Sequence, residues 1–243
     1  MNSNVRRTPL VPRVDRAAPL QFLRTAYEAD DWIAVFLKRY DTGEAVQRVG
    51  PVTLFQQPKM QAWLRLMNSR HFNLFVSVNA LSPERRSRTR EAVCAIRHVF
   101  IEVDHNGRGV LATINARRDL PAPSYVIHSS PNRVHVFWRA TGFTKSAAEQ
   151  LQKYLARELG ADPAATPCSQ TTRLVGFLSH KYVPPVLVRA KYGRTTQVYT
   201  PADFPVPSAP AGRPVARWGR GSTSPPRRHD EHRERGDPHG PPR

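Results

Sequence analysis

The chain has 243 residues, with 37 Lys+Arg against 19 Asp+Glu and a net charge of +18, which suits one folded domain with extensions and favours a polyanionic partner, nucleic acid first. A soluble basic protein with solvated charge fits the same composition about equally well. Two cysteines, Cys94 and Cys168, with no CxxC and no Cys/His cluster, exclude a zinc site of the usual spacing and require no disulfide.

No apolar run reaches the ~18 residues of a spanning helix. The N-terminus MNSNVRRTPLVPRVDR has no apolar stretch of the kind a signal peptide needs. The expectation is a cytoplasmic protein without a membrane partner.

Residues 1–18 read as a flexible basic arm. Trp32-Ile33-Ala34-Val35-Phe36-Leu37 reads as a buried strand. Met60, Trp63, Leu64 and Met67 fall at i, i+3, i+4 and i+7, the stripe of an amphipathic helix packed on a core. Asn73 to Val78 predicts a strand. Ser82-Pro83-Glu84 offers an N-cap and a proline at the first helical position, which predicts a short helix through about Ala92.

The strand His98-Val99-Phe100-Ile101-Glu102-Val103-Asp104 follows, then a turn over 105–109. Residues 124–128 and 134–138 predict two strands joined by the loop Ser129-Ser130-Pro131-Asn132-Arg133, a hairpin. Thr144 caps a helix whose Ala148, Leu151, Leu155 and Leu159 share a side, and Gly160 ends it. A last strand over 172–176 precedes Ser179-His180-Lys181. From about Pro205 the chain is rich in Pro, Gly, Ser, Arg and His. It lacks the apolar residues to offset ordering entropy, so 205–243 reads as a disordered tail. The folded core is then 19–204, of α+β class, with helices packed on a sheet.

Within that core the strand at 98–104 carries unusual chemistry. Side chains alternate along a strand, so Glu102 and Asp104 point the same way and repel. A cation between them relieves the repulsion, and oxygen ligands suit Mg²⁺ or Mn²⁺. Val134, Val136 and Trp138 share one face of the next hairpin strand, and His135 and Phe137 the other. A third polar segment holds Asp162-Pro163, then Arg173 and Lys181.

If the three segments converge, carboxylates would hold metal while Ser, His, Arg and Lys hold a triphosphate, as nucleotidyl transfer requires. Singly, each residue has a plainer reading. Glu102 and Asp104 could face solvent, His135 could be a hydrogen-bonded histidine, and Asp162 could be a turn residue before proline. Arg173 and Lys181 could simply be two of the 37 basic residues.

In order and spacing these segments resemble the RepB-like DNA primase domain of plasmid replication proteins, within the archaeo-eukaryotic primase superfamily. The hydrophobic strand ending in acid-x-acid is matched by Phe100-Ile101-Glu102-Val103-Asp104. The Ser-rich loop followed by a His on a strand is matched by Ser129 through Trp138. The acid followed by Arg-x-x-Gly and a basic residue is matched by Asp162, Arg173-Leu174-Val175-Gly176 and Lys181. The stretch from about Leu20 through Asn79-Ala80-Leu81 is also similar.

That resemblance implies an RNA-recognition-motif-like core. Glu102, Asp104 and Asp162 would bind two divalent metals, Mg²⁺ or Mn²⁺. Ser129, Ser130 and His135 would contact the phosphates of the incoming nucleoside triphosphate, and Arg173 and Lys181 would assist the triphosphate or template. The activity implied is primer synthesis on single-stranded DNA in plasmid or mobile-element replication.

The third motif departs from its relatives, with Pro167-Cys168 where a second acid usually stands and Gln170 where Arg is frequent. One alternative is therefore a primase-fold nucleic-acid-binding protein without catalysis. A rolling-circle initiator or relaxase fits less well, because no His-hydrophobic-His pair is present. No GxxxxGK[ST] loop occurs, so unwinding would fall to a separate replicative helicase.

Overall fold

A computed structural model describes residues 12–130 and 132–205. Residues 1–11 of the expected arm and the tail from 206 onward lie outside the described residues. In chain order the elements are α1 (Ala18–Ala26), β1 (Trp32–Lys38), β2 (Ala45–Pro51), α2 (Val52–Gln56), α3 (Pro58–Ser69), β3 (Asn73–Ser77), β4 (Ala80–Leu81) and β5 (Val93–Ala95). They continue with β6 (His98–Val103), α4 (Gly107–Ala116), β7 (Tyr125–Ser130), β8 (Arg133–Arg139), α5 (Lys145–Leu159), β9 (Thr171–Arg173), β10 (Leu178–Ser179), β11 (Val186–Leu187) and β12 (Arg189–Tyr192). The class is α+β, as expected.

The strands do not form one sheet. A six-stranded sheet runs β5-β4-β1-β3-β9 with β2 on the free side of β1, and a four-stranded sheet runs β12-β7-β8-β6; β10 and β11 pair apart. Every named strand pairing is antiparallel. Alternation in β6 and β8 builds two cores. Phe100 and Phe137 join Ile33, Val35, Leu74 and Val76 of the larger sheet, together with α1 and α3. Val99, Ile101, Val103, Val136 and Trp138 pack instead under α4 and α5. Trp138 is fully buried, and burying a ring of that size contributes on the order of 4 kcal/mol.

The two halves are stitched by Asn79. Its side-chain oxygen accepts from the backbone N–H of Arg97 (2.8 Å) and His98 (3.0 Å), and its amide donates to the Cys168 carbonyl (2.9 Å). The expected cap of α5 is present: Thr144 Oγ1 accepts from Ala147 N–H at 3.1 Å, and Gly160 takes φ +65°. At the N-terminal end, Asp15 accepts from the backbone of Ala17 and Ala18 ahead of α1. Its own N–H donates to the Gly176 carbonyl at 2.9 Å, so this part of the segment read as an arm is tied to the core.

Two expectations are corrected. Residues 83–92 form turns leading to β5, not a helix. The stretch carries Arg at 85, 86, 88 and 90 and no apolar stripe, and a short helix without a buried face does not persist. The turn expected over 105–109 instead starts α4 at Gly107. Asn106 takes φ +55°, and a Cβ on Gly107 would sit a tight 3.0 Å from Val134 Cγ1, so glycine eases the start of the helix this close to β8.

Candidate functional site

The site begins with the β6–β8 ladder, where Glu102 is paired opposite His135. Directly opposed strand residues share a face, and here Glu102 Oε1 lies 3.2 Å from His135 Nε2. The other ring nitrogen, Nδ1, is 2.9 Å from the hydroxyl of Thr172 in β9, so the imidazole bridges the two sheets. His135 is buried and Glu102 half-buried. Burial pushes the Glu102 carboxyl up, but the His135 hydrogen bond and the charges of His135, Arg133 and Arg173 outweigh it. Its pKa falls below the usual carboxylate value.

A cavity of about 180 Å³ opens beside this pair. Five of the predicted site residues line it: Glu102, Ser129, His135, Arg173 and Lys181. Arg173 is 8% exposed. Its Nη1 donates to Asn73 Oδ1 at 2.9 Å, and its guanidinium lies 4.9 Å from the centre of the Phe75 ring. Among the described residues no carboxylate forms an ion pair with it. Burial pulls its pKa below the ordinary arginine value. A buried cation without a carboxylate is costly, and an anion in the cavity would supply the missing partner.

Three predicted residues are not on this cavity. Ser130 is buried and stands next to Ser129 at the end of β7, where successive side chains take opposite faces. Asp104 lies just past β6 with Oδ1 2.9 Å from Arg133 Nη1. Asp162 donates its backbone N–H to the Glu102 carbonyl at 2.8 Å, which brings its main chain alongside β6. Its carboxylate, however, caps the short 3₁₀ turn Pro163–Ala165 by accepting from Ala164 N–H at 2.8 Å. The plainer turn reading thus describes its side chain.

Among the described residues no group of three or more His, Cys, Asp and Glu is placed to hold a metal ion. The oxygens of Glu102 and Asp104 nevertheless fit a hard divalent cation. Asp104 Oδ1 is shut off from solvent and forms no aligned hydrogen bond despite its ion pair, leaving acceptor capacity unused. The Asp162 carboxylate engages one oxygen, Oδ1, with its own turn.

Several cavity residues were missed from sequence. Arg133 is the clearest: it precedes His135 by two on the same strand and therefore shares its face, a signal alternation could have supplied. Tyr40, Phe75 and Tyr182 arrive from other strands and loops, where nothing local marks them. Gln170 also lines the cavity.

No curated protein matches the chain. Three solved structures share its fold. Primase RepB′ superposes with a TM-score of 0.56 at 20% identity, covering 73% of this chain and 57% of that one, so the chain spans little more than half of that protein. The catalytic domain of primase RepB′ in complex with initiator DNA gives 0.55 at 20% identity, covering 73% and 86%. The AEP domain of the cyanophage S-2L primase-polymerase gives 0.62 at 18% identity, covering 79% and 96%. The model of the RepB DNA-primase N-terminal domain matches residues 41–204, the stretch that carries every lining residue of this cavity except Tyr40, and the chain belongs to that family.

Proposed function

We propose that residues 19–204 form a primase-like nucleotidyltransferase domain that extends primers on single-stranded DNA. The observation that supports it most is the convergence of Glu102, Ser129, His135, Arg173 and Lys181, from three separated segments, on one cavity beside a half-buried carboxylate. Arg173, Lys181 and the Ser129 hydroxyl hold the triphosphate of the incoming nucleotide, with Arg173 already desolvated and short of an anionic partner. His135, fixed by Thr172, orients Glu102 and holds it ionised at neutral pH.

Glu102 and Asp104 would hold Mg²⁺ or Mn²⁺. When bound, such an ion lowers the pKa of the attacking 3′-hydroxyl and neutralises charge on the leaving pyrophosphate. The hydroxyl oxygen would form the new bond to the α-phosphorus while its proton passes to solvent, and the bond from that phosphorus to the bridging oxygen would break to release pyrophosphate. The protein works in the cytoplasm, in replication of a plasmid or mobile element, behind a separate helicase.

A second reading, a nucleic-acid-binding protein without catalysis, is favoured by Asp162 standing off the cavity with its Oδ1 engaged by its own turn. Incorporation of labelled nucleotide on single-stranded templates with Mg²⁺ or Mn²⁺ separates the two. Product that depends on Glu102 supports the enzyme, whereas template binding without product, whatever the template, favours the second reading.

A further inference from the structure

Beyond the cavity, the outer face of the six-stranded sheet carries a row of four side chains on four adjacent strands. Gln47 of β2 is paired opposite Phe36 of β1, Phe36 opposite Phe75 of β3, and Phe75 opposite Arg173 of β9. Opposed residues share a face, and the ring geometry agrees: the Phe36 and Phe75 centroids are 6.1 Å apart. Both rings are half-buried, and neither belongs to the cores beneath the sheets.

Each ring carries a guanidinium, Arg88 at 5.2 Å over Phe36 and Arg173 at 4.9 Å over Phe75. Arg88 comes from the turn segment 82–91, which also carries exposed Arg85 and Arg86. At its other end the row enters the cavity, since Phe75 and Arg173 line both.

We propose that this row is the track on which single-stranded DNA lies as it approaches the cavity. Bases stack on Phe36, Phe75 and the flat face of Arg88, and the arginines of 85–88 take the phosphates. Three features point to a single strand. Aromatic rings with arginine planes on an open sheet face bind bases without needing their sequence. Strands lie about 4.8 Å apart, so the row spans roughly 14 Å, room for two or three unstacked bases. The bordering segment supplies the complementary charge. The track gives a direction, with the template arriving over β1 and β3 and its leading base delivered beside Arg173. This inference rests on the nucleotidyltransferase reading only for calling the strand a template.

The test uses the full chain and a labelled short oligothymidylate, with binding followed by fluorescence anisotropy across a salt series. Phe36→Leu is expected to weaken binding roughly tenfold without changing the salt slope, because stacking is lost and no charge is. Arg88→Ala, its fold checked by its melting curve, is expected to weaken binding and lower the salt slope by about one. Neither variant should change binding of blunt duplex by a comparable factor. If both bind the single strand as wild type does, or lose duplex equally, the track is overturned.

Nucleotide incorporation at saturating oligonucleotide keeps this separate from the active-site reading. Unchanged variant binding with Glu102-dependent synthesis overturns the track alone. Weakened variant binding with no synthesis by wild type supports the track and overturns the nucleotidyltransferase.

Discussion

Glu102 and His135 face each other across the β6–β8 ladder with 3.2 Å between Oε1 and Nε2, and the Thr172 hydroxyl fixes the far ring nitrogen at 2.9 Å. The pair joins two sequence segments through ladder register and ties in the second sheet through one hydroxyl. It also places an ionised carboxylate at the mouth of a cavity whose other charged lining residues, Arg133, Arg173 and Lys181, are cations. Anion-binding walls with one carboxylate edge suit a polyphosphate that arrives with a divalent cation.

Arg173→Lys keeps the charge but loses the planar fork and its place over Phe75. Affinity for a fluorescent nucleoside triphosphate is expected to fall roughly tenfold, the worth of one or two charge-assisted hydrogen bonds. Arg173→Met should lose more affinity while leaving the melting temperature unchanged or raised, because an unpaired buried cation is removed. Titration and calorimetry on the same samples check both halves.

Arg133→Gln removes the cation at Asp104. Mn²⁺ binding, read by electron paramagnetic resonance of the free ion, is expected to tighten by about fivefold, corresponding to ~1 kcal/mol of relieved repulsion in a solvated setting. Unchanged affinity would mean that Asp104 is not a ligand.

Asn79→Ala leaves the N–H groups of Arg97 and His98 and the carbonyl of Cys168 without their partner. Three hydrogen bonds at a buried position predict a loss of about 2–4 kcal/mol. Chemical denaturation checks this, with an unchanged slope showing that only stability has moved.

His98 is fully buried between the Val78 carbonyl (2.7 Å) and the Tyr125 hydroxyl (2.8 Å). Burial first, then Arg139 and Arg97, lowers its pKa to about 3. The unfolded chain protonates near 6.5 and so binds more protons between that value and 3. Stability is therefore full above pH 6.5 and declines as pH falls through that window, by at most about 1.4 kcal/mol per pH unit. Denaturation midpoints against pH should show this slope, and His98→Gln should flatten it.

Much of this arrangement was legible in the sequence. Alternation placed Glu102 with Asp104 on one side of the first strand, and His135 with Phe137 opposite Val134 and Val136 on the other, because a strand's period of two leaves no choice once one face is buried; the pairing of Glu102 with His135 came from the register of the ladder. The cap and stop of α5 were equally plain at Thr144 and Gly160. Helix α4 was hidden because Gly107 and Gly109 read as turn residues, and only packing against Val134 explains the first of them. Strand β2 was hidden because its exposed residues 47 and 48 show no clean alternation. The apparent helix over 83–92 had a good start at Ser82-Pro83 but nothing apolar to bury. The division into two sheets depends on contacts between distant segments that no local pattern encodes, whereas the turn at Asp162-Pro163 is local and was legible.

The most direct test of the central claim is incorporation of radiolabelled nucleotide on circular single-stranded DNA, with Mg²⁺ or Mn²⁺, by the wild-type chain and by Glu102→Gln, both confirmed folded by their melting curves. Wild type is expected to make product, and Glu102→Gln is expected to lose it by at least about a hundredfold while binding the DNA as tightly. Equal product from both proteins, or none from wild type with either metal, would contradict the placement of a nucleotidyl-transfer site at Glu102.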